Sequence, residues 1–232
     1  MLPFFLSLFM DEELLEYLQK FVTGRRIELF DRILDMRTKF ITLALEDIYQ
    51  SNNASAVLRT CDCFGIQDVH VIENRNEYLL NTEVSLGAEK WLDIYKYSSE
   101  EHNSLSALKN LKEQGYRIVA TTPHRDDVLL RDFDIEKGKV AVFFGTELSG
   151  LSDSILQNAD EFLKIPIYGF SESYNISVSA ALILQVLVHK LHNSEINWKI
   201  STEEKNRIKL EWLRKTIKKA DLIEKKFLER KF

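Results

Sequence analysis

The chain has 232 residues, 45% of them hydrophobic and 29% charged, with a formal net charge of -5. With 8 Gly and 3 Pro it is neither collagen-like nor low in complexity, and the ordinary apolar fraction excludes extensive disorder. The negative average argues against a nucleic-acid partner only until it is resolved along the chain. The last 34 residues carry +6 and the preceding 198 carry -11, while Arg25, Arg26, Arg32, Arg37 and Lys39 cluster near the start.

The first ten residues are apolar and Phe-rich and run directly into Asp11, Glu12 and Glu13, with no basic residue before Lys20. That is not the charge pattern of a secretory signal, and the run falls short of the roughly 20 residues needed to cross a bilayer. It is expected to pack on the core or at a subunit contact. Residues 11–22 and 25–37 have apolar positions at helical spacing. A strand is expected over 41–48, a polar turn over 50–53 and a helix over 54–64, closed by Gly65. Further strands are expected over 69–73, 116–122, 139–145 and 161–169. Helices are expected over 103–114, over 152–160 with Ser152 as N-cap, from Ser177 onward, and through the basic end. Strands alternating with helices predict an α/β protein with a mostly parallel sheet flanked by helices. Cys61 and Cys63 in a C-x-C pair are poorly placed for a mutual disulfide and read as core or near-core residues of a reduced, cytoplasmic protein. Two Cys and five scattered His leave no metal-ligand spacing.

In a parallel sheet, chemistry gathers in loops beyond the carboxyl ends of the strands. Three such loops are unusually polar. In the first, Asn53 reads as an N-cap. Arg59 lies among Val57, Leu58 and Cys61, and either pairs with a carboxylate such as Asp62 or binds an anion with its five fixed donors. In the second, F-F-G-T-E-L-S-G-L (143–151), Gly145 at a strand end would let a ligand approach the backbone, and Glu147 could accept hydrogen bonds from substrate hydroxyls or from Arg59. In the third (165–181), five Ser and Asn side chains lead into a very apolar helix, more than capping requires, which suggests a polar pocket at a helix start. No His stands beside these serines, so a Ser-His-Asp triad is poorly supported, and no G-x-G-x-x-G fingerprint is present.

Taken together and in this order, N-x-x-A-x-x-R-T-x-D (53–62), F-F-G-T-E-L-S-G-L (143–151) and I-P-I-Y-G-F-S-E-S-Y-N-I-S-V-S-A-A (165–181) resemble the three motifs of the SpoU/TrmH family of RNA ribose 2′-O-methyltransferases, within the SPOUT superfamily. The segment Gly87-Ala-Glu-Lys-Trp91 resembles the TrmH branch, which methylates guanosine 18 of the tRNA D-loop. The resemblance implies a homodimeric, S-adenosylmethionine-dependent enzyme. Its methyltransferase domain would span 39–192, with a deep trefoil knot at about 140–191, between helical extensions at 1–38 and 193–232. It further implies a cofactor site of Thr121, Gly145, Ile165, Ile167, Tyr174 and Asn175, and an active site of Asn53, Arg59, Glu147, Ser173 and Asn175. Arg59 would bind an RNA phosphate and stabilise the developing alkoxide, oriented by Asn53 and Glu147. tRNA would be gripped by Arg25, Arg26, Arg32 and Arg37 at one end and by Lys215, Lys218 and Lys219 at the other. The alternatives are a relative acting on the tRNA wobble nucleotide or on ribosomal RNA, and an RNA-binding homologue without activity. No metal or membrane is implied.

Overall fold

A computed structural model describes residues 2–122 and 128–229, with the side chains of 2–10 left undescribed. The chain forms two compact units, one from the residues up to Arg37 together with those from Lys199 on, the other Thr38–Trp198.

The second unit is built on β1 (Ile41–Glu46), α3 (Ser51–Cys63), β2 (Asp68–Ile72), α4 (Thr82–Ser85), β3 (Asp93–Tyr97), α5 (Asn103–Glu113), β4 (Arg117–Thr121), β5 (Val128–Leu129), β6 (Val140–Phe144), α6 (Asp153–Asn158), β7 (Glu161–Lys164) and α7 (Ile176–His192). Among the described residues the strands form one sheet of order β3-β2-β1-β6-β4-β7-β5, and every pair is parallel. Alternation along the strands sorts side chains to two faces. Leu43 and Leu45 of β1, with Val119 and Val142, face a core shared with Val57 and Leu58 of α3 and Ile183, Leu184 and Leu187 of α7. Ala44, Ile118 and Phe143 face a second cluster with Leu108 and Leu111 of α5 and Ile155 of α6. Both faces are covered, which is why the strands read as continuous apolar runs.

Three local expectations change. The strand expected over 161–169 ends at Lys164, because Pro166 has no N–H to donate to a ladder. Strands β3 and β5 carry no apolar run: β3 is half-exposed along its length and β5 has two residues. Cys61 is buried and Cys63 exposed, so only the first belongs to the core; both are free thiols.

Polar groups also lie inside the sheet, and one of them is an imidazole. His70 of β2 is buried, its Nδ1 stands 2.9 Å from the Tyr97 hydroxyl, and its ring stacks on Tyr95 at 4.9 Å. Burial, with a smaller contribution from Lys39, lowers its pKa from 6.5 to about 4. Between those values the unfolded chain takes up a proton that the folded chain refuses, so stability falls as pH drops. From pH 7 to pH 5 this single group should cost about 2 kcal/mol. In His70→Gln, thermal melts at the two pH values should lie correspondingly closer together than in the parent protein.

The first unit contains α1 (Leu2–Gln19), α2 (Gly24–Leu34), α8 (Thr202–Thr216) and α9 (Ala220–Glu229). The apolar first residues are therefore the opening turns of a helix. Leu14, Leu15 and Leu18 of α1 are buried with Phe30, Leu34, Ile208, Trp212 and Leu213. Phe30 meets Trp212 edge-on at 5.3 Å, and Phe227 packs on Tyr17 at 5.0 Å. The aromatics of the basic end thus fasten it to the N-terminal helices. The continuous terminal helix expected from the sequence is broken between α8 and α9, where Lys219 adopts a left-handed φ of 63°. Among the described residues no helix is long and apolar enough to cross a membrane.

Candidate active site

Beyond the carboxyl ends of β4, β6 and β7 lies a cleft of about 490 Å³, within the range of small-molecule sites. Thr121, Gly145, Ile165, Ile167, Tyr174 and Asn175, the six positions expected at a cofactor, all line it. Glu147 and Ser173 line it as well. Thr121 contributes wall rather than a free hydroxyl, since its Oγ1 donates to the Phe143 carbonyl at 2.7 Å. The Tyr174 hydroxyl donates to the Pro166 carbonyl at 3.3 Å and closes the loop after β7 on itself.

Residues from the three motifs meet at the rim. Asn175 is the N-cap of α7, its Oδ1 accepting from Ser177 N at 2.9 Å and from Ser177 Oγ at 2.6 Å. Its Nδ2 donates to Asn53 Oδ1 at 3.0 Å. Asn53 Nδ2 in turn donates to Glu147 Oε1 at 2.5 Å and to Gln50 Oε1 at 3.2 Å. Donors therefore run in one direction, from Ser177 through Asn175 and Asn53, and end on the carboxylate. Such a chain fixes the Glu147 side chain.

Three sequence expectations are corrected here. Asn53 is not the cap of α3. Gln50 holds that position, and Asn53 sits inside the first turn, buried and turned toward Glu147. Arg59 is neither screened among apolar neighbours nor paired with Asp62; it is exposed, with no hydrogen bond or ion pair among the described residues. Asn53 and Glu147 bind each other and not Arg59. Gly145 lines the cleft as expected and also serves its own loop: a Cβ there would overlap the Gly150 carbonyl and the Leu151 amide nitrogen. That loop is closed by reciprocal 3.0 Å hydrogen bonds between Thr146 and Gly150.

Of the basic residues, Arg25, Arg26, Arg32, Lys215, Lys218 and Lys219 are exposed. Arg37 is 1% exposed, and its guanidinium lies over the Trp212 ring at 5.5 Å, so it is a core residue and not an RNA contact. Much of the basic end is neutralised inside its own unit: Lys209 binds Asp31 and Lys205 binds Asp35, each at 2.6 Å, and Arg214 binds Glu224 at 2.9 Å. Sequence reasoning missed Glu46, a carboxylate ending an apolar strand and buried at 2% exposure. The signal was present, because a charge inside an apolar run needs partners from elsewhere in the fold.

The cleft is lined both by apolar side chains such as Phe144, Leu163 and Ile165 and by polar ones such as Thr122, Thr146, Ser173 and Asn175, a mixture that suits a ligand with apolar and hydrogen-bonding parts. Among the described residues no cluster of His, Cys, Asp and Glu is arranged to hold a metal ion. A parallel α/β sheet with one such cleft at its carboxyl edge defines a small-molecule-binding α/β domain of the kind enzymes use. The chain belongs to the SpoU rRNA Methylase family, whose model matches residues 41–185. It is 41% identical to a tRNA (guanosine(18)-2′-O)-methyltransferase of Borreliella burgdorferi, over 93% of this chain and 98% of the relative. It is 36% identical to a protein of the same description from Thermus thermophilus, over 69% of this chain and 78% of the relative. Among solved structures, a TrmH/SpoU tRNA modifying enzyme of Aquifex aeolicus superposes with a TM-score of 0.74 at 27% identity, over 84% of this chain and 98% of that one.

Proposed function

We propose that this protein is an S-adenosylmethionine-dependent methyltransferase acting on the ribose 2′-hydroxyl of guanosine 18 in tRNA. The observation that carries this reading is the meeting of Asn53, Glu147 and Asn175, from three separate motifs, at the rim of a cleft lined by every expected cofactor residue. The tRNA substrate and the position modified are supported by the relatives from Borreliella burgdorferi and Thermus thermophilus, which carry that activity in their descriptions.

S-adenosylmethionine, when bound, supplies an electrophilic methyl group. The chain must place a ribose hydroxyl against it and accommodate the loss of its proton. Glu147 Oε1 is occupied by Asn53, while Oε2 has no partner among the described residues, so the carboxylate retains an acceptor for a substrate hydroxyl. Asn53 and Asn175 keep that acceptor at the rim. Ser173 lines the same cleft. Arg59, which makes no hydrogen bond or ion pair among the described residues, binds an RNA phosphate and stabilises the developing alkoxide; an arginine stays protonated and is not itself the base.

The exposed cations Arg25, Arg26, Arg32, Lys215, Lys218 and Lys219 are the candidates for phosphate contacts. A homodimer is part of the same reading. Leu148, Tyr168 and Phe170 are almost wholly exposed, with Val178 and Leu182 on α7 also open to water, and a second copy of the chain would cover them. A trefoil knot at about 140–191 belongs to the same reading, supported by family membership and by the second and third motifs in that stretch. Two free thiols favour a cytoplasmic location.

The test is to methylate unmodified total tRNA with labelled cofactor and map the modified nucleotide. Label is expected on guanosine 18. Label on the wobble nucleotide, or none on tRNA, would overturn the assignment.

A further inference from the structure

The end of β1 carries two carboxylates, and only one of them is used to shape the next loop along the chain. Asp47, with a left-handed φ of 53°, accepts the backbone N–H groups of Asn74, Arg75 and Asn76 at 2.7, 2.8 and 3.3 Å. Glu46 points to the other side of the strand, toward a segment more than a hundred residues away. Its Oε2 accepts Ser152 N at 2.8 Å, its Oε1 accepts Ser152 Oγ at 2.6 Å, and Ser104 Oγ donates to Oε1 as well. No Lys or Arg pairs with it among the described residues. A buried carboxylate without a cation is costly unless hydrogen bonds satisfy it, so the two serines are what keep Glu46 in place.

Ser152 is also the N-cap of α6, its Oγ accepting from Ile155 N at 3.4 Å. One residue therefore ties the start of α6 to the end of β1, immediately after the loop that forms one wall of the cleft. That loop begins at Gly145, pressed against Gly150, and is pinched by the Thr146–Gly150 hydrogen bonds. With both ends held, little freedom is left to Glu147.

We infer that Glu46 is a positioning residue for the cleft: through Ser152 it holds the loop that carries Glu147, and so sets the affinity for S-adenosylmethionine without touching it. This rests on the reading that the cleft takes that cofactor. Loss of the carboxylate frees the Ser152 N–H and hydroxyl, and the wall from Leu148 to Leu151 loses its fixed end. A glutamine in place of Glu46 keeps the geometry, since its oxygen accepts from Ser152 N while its amide donates to the two serine hydroxyls.

Calorimetric titration with S-adenosylmethionine, paired with a thermal melt for each protein, tests this. Glu46→Ala and Ser152→Ala should bind about tenfold more weakly, the loss of hydrogen bonds to a charged group. Glu46→Gln should bind within about twofold of the parent, and so should Ser104→Ala, which removes a partner of Glu46 outside the loop. Folded Glu46→Ala or Ser152→Ala with parental affinity would overturn the inference, as would an equal loss in Ser104→Ala, which would make the effect one of the buried carboxylate in general. If Glu46→Ala does not fold, Ser152→Ala decides. Failure of the parent protein to bind would instead refute the cofactor reading.

Discussion

Arg59→Lys lowers methyl transfer to tRNA about a hundredfold and leaves S-adenosylmethionine binding within about twofold of the parent. Arg59 makes no hydrogen bond or ion pair with the described protein, so its replacement breaks nothing in the fold and the loss reports on the RNA side alone. Lysine retains the charge and removes the planar fork that can grip a phosphate with two parallel hydrogen bonds. Arg59 lies six positions after Asn53 in α3, about 120° around the helix. The arginine therefore leaves the helix on a different side from the Asn53–Glu147 pair and does not rely on it for orientation. Single-turnover rates with saturating tRNA, beside calorimetric binding of the cofactor, separate the two effects. Undiminished turnover in Arg59→Lys would refute the role given to the guanidinium.

Gly145→Ala abolishes most cofactor binding and turnover together. The added methyl group falls on the backbone of Gly150 and Leu151, and backbone cannot rotate away as a side chain can. The Thr146–Gly150 pinch must open, which displaces Glu147 from Asn53 and moves the wall of the cleft. Overpacking of this kind costs about 1–3 kcal/mol where it cannot relax, so the chain should still fold while S-adenosylmethionine affinity falls about tenfold or more. Far-UV circular dichroism checks the fold and titration checks the affinity. A folded Gly145→Ala protein that binds the cofactor normally would show that the loop tolerates an open form. The contrast between the two substitutions is diagnostic: one removes chemistry from an intact cleft, the other removes the cleft.

The two predictions rest on causes that were only partly visible in the sequence. Arg59 and Gly145 were both marked by motif, yet for each the structure adds something that the motif did not carry. Arg59 was judged by its neighbours in sequence, Val57, Leu58 and Cys61, whereas a helix turns each of those to another direction. Gly145 was judged by what glycine allows a ligand to do, and the structure adds a close approach by Gly150 of the same loop. Arg37 failed for a similar reason. It lies in a basic cluster along the chain but against Trp212 in space, 175 positions away.

What the amino-acid sequence determined by itself is whatever depends on short-range order. Apolar runs bounded by turn residues located β1, β2, β4 and β6, because strands covered on both faces leave no other pattern. Ser152 is legible as an N-cap because capping is a contact between residues three apart. The tertiary structure alone decided what depends on distance along the chain. It inserted β6 between β1 and β4 and brought Asn53 to Glu147 and Asn175, 94 and 122 positions away. It folded the two basic ends into one helical unit that neutralises much of its own charge, and it set Glu46 on Ser152, 106 positions on. Each of those contacts joins groups whose spacing in sequence has no period to detect; they follow from the order in which strands pair, and that order is settled by the packing of the whole sheet.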